Sequence, residues 1–146
     1  MAVAAVLVDT NVVLDMLAKR EPWYRAASDL LFLAAQGKVH LAVSGSTITD
    51  LYYLMNKQVY HDAAKSKEVI FRLLDFFSVL DVGYAECLGA LASPVADYED
   101  AVFVEAARRA GVEAVITRDT QDFRAAPLPM YTPDEYLNML VSNTTR

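Results

Sequence analysis

The residues in this chain best suited to chemistry are aspartates, and they recur where one element gives way to the next. Asp9 follows the apolar run Ala4-Ala5-Val6-Leu7-Val8. Asp97 and Asp100 open a periodic stretch, and Asp119 and Asp122 follow the apolar run Ala114-Val115-Ile116-Thr117. Two unit charges about 4 Å apart repel by ~4 kcal/mol at an effective dielectric of ~20. Carboxylates gathered in one place must therefore be stabilised by bound cations or by proton uptake. His40 and His61 are the only histidines and Cys87 the only cysteine, so the donors are oxygens and the fitting ions are Mg²⁺ or Mn²⁺. A structural zinc site is close to excluded. Divalent ions held by Asp lower the pKa of a bound water, stabilise a phosphorane-like transition state and steady the leaving oxygen. Phosphodiester hydrolysis by that route needs no protein nucleophile.

Each motif also has a plainer structural use. Asp9 or Asn11 can cap the helix that follows. The pairs Asp97/Asp100 and Asp119/Asp122 each fit an N-cap with an acid favoured by the helix dipole. Capping accounts for each pair singly. It gives no reason for four or five acids to gather at one edge.

The elements decide whether they gather. The unbroken apolar run before Asp9 reads as a strand buried on both faces of a parallel sheet, and a helical pattern (Val12, Val13, Leu14, Leu17) starts directly after it. Pro22 suits the first turn of a helix from Trp23 to Gly37. His40–Val43 is a second strand, Ser44-Gly45-Ser46 a turn, and Thr47–Asn56 a helix. Asp62 begins a helix whose buried side takes Ala63, Ala64, Val69, Ile70, Leu73, Leu74 and Phe77. Val79–Val82 is a third strand and Tyr84–Ala92 a helix that Ser93-Pro94 breaks. Ala101–Ala110 is a helix ended by Gly111, Ala114–Thr117 a fourth strand, and Pro129–Tyr131 a short edge strand. The last helix is Asp134–Val141, with a frayed tail after it. Strands alternating with helices predict an α/β fold with a mainly parallel sheet flanked by helices, in one domain over residues 1–146. Right-handed crossovers place all parallel strand C-termini on one edge, where such sheets bind ligands. Asp9 and Asp119 meet there if the first and fourth strands are neighbours. Asp97 and Asp100, three apart, project from nearly one face of a helix start. Asp50 joins them only if its helix turns it that way.

The totals are consistent with this. At 146 residues and 55% hydrophobic content, the chain buries roughly 70% of its unfolded surface and is not disordered. No apolar run approaches the ~20 residues of a membrane span. The N-terminus has neither a basic start nor a small-residue cleavage site, which predicts a cytoplasmic protein. The lone cysteine suits a reducing compartment. A net charge of −6 means that any polyanion must meet bound cations or a local Lys/Arg cluster.

Several motifs in order resemble the PIN-domain nucleases, in particular the VapC-type toxin ribonucleases. They are Leu7-Val8-Asp9-Thr10-Asn11-Val12-Val13-Leu14-Asp15, Ser46-Thr47-Ile48-Thr49-Asp50-Leu51-Tyr52-Tyr53, Asp97-Tyr98-Glu99-Asp100-Ala101, Ile116-Thr117-Arg118-Asp119-Thr120-Gln121-Asp122-Phe123 and Thr132-Pro133-Asp134-Glu135-Tyr136-Leu137. The resemblance implies a Rossmann-like three-layer sandwich and a metal-dependent endoribonuclease, the toxin of a type II toxin–antitoxin pair. It implies an acidic quartet of Asp9, Asp50, Asp100 and Asp119 around one or two Mg²⁺ or Mn²⁺ ions, supported by Asp97 and Asp122. Thr10, Asn11, Ser46 and Thr117 would orient carboxylates or waters. The family more often has Glu where this chain has Asp50, which is one methylene shorter and reaches a metal through water. The resemblance also implies a homodimer and a small antitoxin that covers the pocket.

Arg118, Lys19, Arg20 and Lys57 are candidates for RNA phosphate contacts, against ordinary solvated charge. Arg108 and Arg109 suit a helix C-terminus. Trp23, Tyr24, Tyr52, Tyr53 and Tyr60 could form an aromatic partner surface, against core packing. Cys87 reads as a buried small hydrophobe, and His40 and His61 as surface or turn residues. Two other functions compete. A phosphohydrolase with Asp9 as nucleophile wants a second Asp where Asn11 stands. A non-catalytic PIN-like binding module has no need of the retained acids.

Overall fold

Strand β1 (Ala5–Val8) is the centre of the molecule, and its sequence explains why. Val6, Leu7 and Val8 are fully buried, so no residue of the strand core has to face water. The computed structural model describes residues 3–144. Its other strands are β2 (His40–Ser44), β3 (Ser78–Leu80), β4 (Ala114–Ile116) and β5 (Met130–Tyr131). All pair in parallel, in the order β3-β2-β1-β4-β5. Val8 stands opposite Ile116, which makes the first and fourth strands neighbours and brings their C-terminal ends level.

The helices are α1 (Thr10–Leu17), α2 (Tyr24–Ala35), α3 (Gly45–Leu54), α4 (Ala63–Phe76), α5 (Tyr84–Ala90), α6 (Tyr98–Ala110) and α7 (Pro133–Thr144). Side chains alternate across a strand, and the core follows that rule. Val6 and Val8 pack on one face with Val12 and Val13 of α1, Leu30 of α2, Leu51 of α3 and Tyr136 of α7. Leu7 packs on the other face with Ala42, Val115 and Ala107 of α6. Helices thus lie on both sides of the sheet, an α/β sandwich of the predicted kind. No helix among the described residues is long and apolar enough to cross a membrane.

Several local expectations are corrected. Helix α3 starts two residues early, at Gly45, because the Ser44 hydroxyl accepts the Thr47 N–H at 3.2 Å and caps it. It runs on into a π-helical turn, Met55–Val59. In α4, Ala63, Ala64 and Leu74 are exposed, while Ser66 is buried. Its hydroxyl donates to the Asp62 carbonyl at 2.8 Å, so polarity is hidden without loss of a bond. Helix α7 reaches Thr144 where a frayed tail was expected after Val141; residues 145–146 lie outside the described residues. Cys87 is exposed, as are Tyr84, Leu88 and Leu91 around it, because α5 buries only Ala90. His40 and His61 are exposed, as expected.

Candidate active site

Asp9 sits where β1 ends and α1 begins. Its backbone is extended (φ −72°, ψ 152°), and its N–H donates to the Ile116 carbonyl at 2.9 Å, so the sheet itself fixes its position. Both carboxylate oxygens are held. Oδ1 accepts the Thr10 N–H at 2.8 Å, and Oδ2 accepts the Thr117 hydroxyl, also at 2.8 Å, from the end of β4. Asp9 therefore caps α1 and also faces β4. Burial raises its pKa, the Thr117 and Thr10 bonds and Arg118 oppose the rise, and Asp119 adds to it.

Thr117 also ties in the next acid. Its oxygen accepts the Asp119 N–H at 3.1 Å, so one buried hydroxyl joins two acid-bearing segments. A single turn of 3₁₀ helix, Thr120–Phe123, follows and carries Asp122. At the start of α6, Asp97 caps the helix: its Oδ1 accepts the Asp100 N–H at 3.0 Å. Asp100, one turn in and half-buried, has its carboxyl pushed up to about 6. Burial is the largest cause, followed by the charges of Asp97, Asp9, Asp122 and Glu99. Three separate segments thus turn acids toward one another at the C-terminal edge of the sheet.

Asp50 does not enter this set. It is exposed on α3, its pKa is raised by burial of the carboxyl alone, and no other acid acts on it. Ser46 belongs to a hydroxyl cluster instead. Ser44 Oγ lies 3.0 Å from Ser46 Oγ and 3.1 Å from Thr47 Oγ1, and Thr10 Oγ1 donates to Thr47 Oγ1 at 3.0 Å. This chain of hydroxyls links the end of β2 to Thr10, whose N–H holds Asp9. Ser44 and Thr47, both buried, escaped the sequence reading. A Ser three residues before a Thr at the head of a helical pattern was the capping signal that could have found them. Asn11 lies half-buried in the first turn of α1.

The basic residues divide. Arg118, expected at phosphate, is turned inward. Its Nε lies 2.9 Å from Oδ2 of Asp15, and its guanidinium stacks over the Trp23 ring at 3.8 Å. Arg20 is drawn to the same acid, at 3.8 Å. Lys19 and Lys57 are exposed. Of the aromatic residues, Tyr53 is exposed and packs edge-on against Tyr52, and Lys65 lies over Tyr60. Asp15 itself was not singled out from sequence, although an acid inside the apolar face of α1 is out of place unless paired.

Among the described residues, no three His, Cys, Asp or Glu side chains come together as a ready-made ion cage. The donor set still fits a hard, hydrated ion. Mg²⁺ keeps several of its waters and is held by one or two carboxylates, and the Asp100 carboxyl, raised first by burial, is raised further by the negative charges of Asp97, Asp9, Asp122 and Glu99.

The fold has counterparts. A toxin–antitoxin complex from Klebsiella pneumoniae superposes with a TM-score of 0.66 at 23% identity, over 88% of this chain and 97% of that one. VapBC2 from Rickettsia felis, solved bound to a fragment of its promoter DNA, gives 0.64 at 16% identity, over 86% and 96%. The Mycobacterium tuberculosis toxin VapC20, described as cleaving the sarcin–ricin loop, gives 0.57 at 16% identity, over 75% and 86%. No curated protein sequence matches the chain. The family model described as PIN domain matches residues 5–121, the span that carries β1, β4 and all the acids named above up to Asp119. With that match over most of its length, the chain belongs to the PIN-domain family.

Proposed function

We propose that this protein is a metal-dependent endoribonuclease, the toxin of a type II toxin–antitoxin pair, with Mg²⁺ or Mn²⁺ as its cofactor and RNA as its substrate. The observation that carries the reading is the Asp100 carboxyl raised to about 6 by burial and then by the charges of Asp97, Asp9, Asp122 and Glu99, with Asp119 acting on Asp9 from the next segment. Crowding of this kind costs stability unless a cation relieves it. The fold likeness to toxin–antitoxin complexes and to an RNA-cleaving toxin supports the same reading. A bound divalent ion supplies a water of lowered pKa and stabilises the charge that develops in phosphodiester hydrolysis.

The protein's part is positioning. Thr117 and Thr10 hold the two oxygens of Asp9, leaving its remaining lone pairs for a cation, and Asp100 and Asp119 would complete the oxygen donor set. Asp97 and Asp122 keep the local charge negative. Asp50 would act, if at all, through water, as its shorter side chain implies. An antitoxin that covers the pocket and a homodimeric toxin complete the proposal. The second reading, a non-catalytic PIN-like binding module, takes its support from the lack of a ready-made ion cage among the described residues.

A gel assay separates the two. The purified protein is incubated with structured RNA and tRNA in Mg²⁺, Mn²⁺ or EDTA, beside Asp100→Asn purified identically. Metal-dependent cleavage that vanishes in the variant is expected. No cleavage by the parent, once mass spectrometry has excluded a copurified antitoxin, would move the assignment to the binding module.

A further inference from the structure

The acids at the strand ends have a cation beside them. Arg118 follows Thr117 and precedes Asp119, so the backbone that anchors two acid-bearing segments also delivers a guanidinium between them. It lies near enough to act on the Asp9 charge. A guanidinium is always charged and matches a carboxylate in fork geometry. Left free, it would pair with Asp9, whose charge it already acts on, and compete there with a divalent ion.

Asp15 offers it another home. This acid is 1% exposed among Val12, Val13 and Leu14 and caps no helix; Arg118 and Arg20 act on its charge, and so does Asp119. Its Oδ2 lies 2.9 Å from Arg118 Nε, and Trp23 forms a platform under the guanidinium at 3.8 Å. The Asp15 contact is one of charge and not an aligned hydrogen bond, so it depends on the Asp15 charge. Arg20 shares the acid at a longer distance, 3.8 Å.

We propose that Asp15 is a positioning residue that parks Arg118 on Trp23 and so keeps the protein's own cation away from the Asp9 carboxylate and its neighbouring acids. The parking itself is independent of the function proposed above; its consequence for metal rests on that reading. Trp23 is the only tryptophan, so its emission reports the parked guanidinium directly.

The test compares the parent with Asp15→Asn, Arg118→Gln and the double variant, by metal-free Trp23 emission and by Mn²⁺ calorimetry. Asp15→Asn is expected to shift the emission in the same direction as Arg118→Gln, because both take the cation off the ring. Its Mn²⁺ affinity is expected to fall about tenfold, and the double variant to recover it, since the competing charge has gone. Parent-like emission and affinity in Asp15→Asn would overturn the proposal. A loss of affinity that the double variant does not recover would also overturn it, as the mark of a merely structural role. Should Asp15→Asn fail to fold, Trp23→Leu removes the platform at a partly exposed position. Its Mn²⁺ affinity is expected to fall and to return when Arg118→Gln is added; an unchanged affinity overturns the proposal. A parent chain that binds no Mn²⁺ overturns the metal reading instead, and the emission of Asp15→Asn then decides the parking alone.

Discussion

Asp100 shows at residue scale what burial beside other acids does. Its carboxyl sits at about 6 against an ordinary 3.8, mainly through burial and then through Asp97, Asp9, Asp122 and Glu99. The folded pKa is the higher one, so the folded chain binds that proton more tightly than the unfolded chain. The resulting stabilisation is complete below pH ~4 and is lost as pH rises through about 6. Asp100→Asn has nearly the same volume and does not titrate. In EDTA it is expected to gain stability over the parent between pH 4 and 7, by about 1 kcal/mol once solvent screening of a half-buried carboxyl is allowed for. Tm measured at both pH values checks this, and a parent–variant difference that does not change with pH would refute it. A residue whose removal stabilises the fold while abolishing cleavage is what a site kept for function looks like.

At the scale of elements, α6 depends on an acid that has two tasks. Asp97 accepts the Asp100 N–H and so satisfies one of the orphan donors of the first helical turn, while its charge presses on the Asp100 carboxyl. The two tasks separate by substitution. Asp97→Asn keeps an acceptor for the cap and removes the charge; Asp97→Ala removes both. Urea unfolding is expected to place the alanine variant about 1 kcal/mol below the asparagine variant. Equal stabilities would show that the cap contributes nothing. Strand ends are organised by the same economy of groups: the Thr117 hydroxyl donates to Asp9 from β4 and accepts from the Asp119 N–H, so one side chain ties β1, β4 and the turn after β4 together.

For the whole molecule, a net charge of −6 means that the RNA proposed as substrate would be bound through local chemistry rather than through the overall field. Relief of the acid cluster by cations should be visible as global stability. An ion that binds only the folded state, present at about a hundredfold its Kd, adds ~2.7 kcal/mol. For a chain of this size that is a Tm rise of roughly 5–10 °C. Thermal unfolding with millimolar Mn²⁺ is expected to show the rise in the parent and to lose most of it in Asp9→Asn. An unshifted parent would count against a preformed site.

The alternation of apolar runs and helical patterns was legible without a structure, because local periodicity settles element type before any long-range contact forms. So was the placing of Asp9 and Asp119 at strand ends, which the handedness of parallel crossovers sends to one edge. Strand order needed the fold. Thr117 and Asp9 are 108 residues apart, and only the pairing of β1 with β4 makes them hydrogen-bond partners. The fate of charged side chains needed it equally. Arg118 reads from sequence as a phosphate contact and Asp15 as one acid among many, yet burial of Asp15 turns them toward each other. Asp50 reads as one of four matched acids, yet its raised pKa comes from burial of the carboxyl and not from the charge of another acid. Sequence by itself determined which groups were present and which edge of the sheet most of them would reach; the tertiary structure decided which of them share a field, because electrostatic partnership depends on distance and burial rather than on position along the chain.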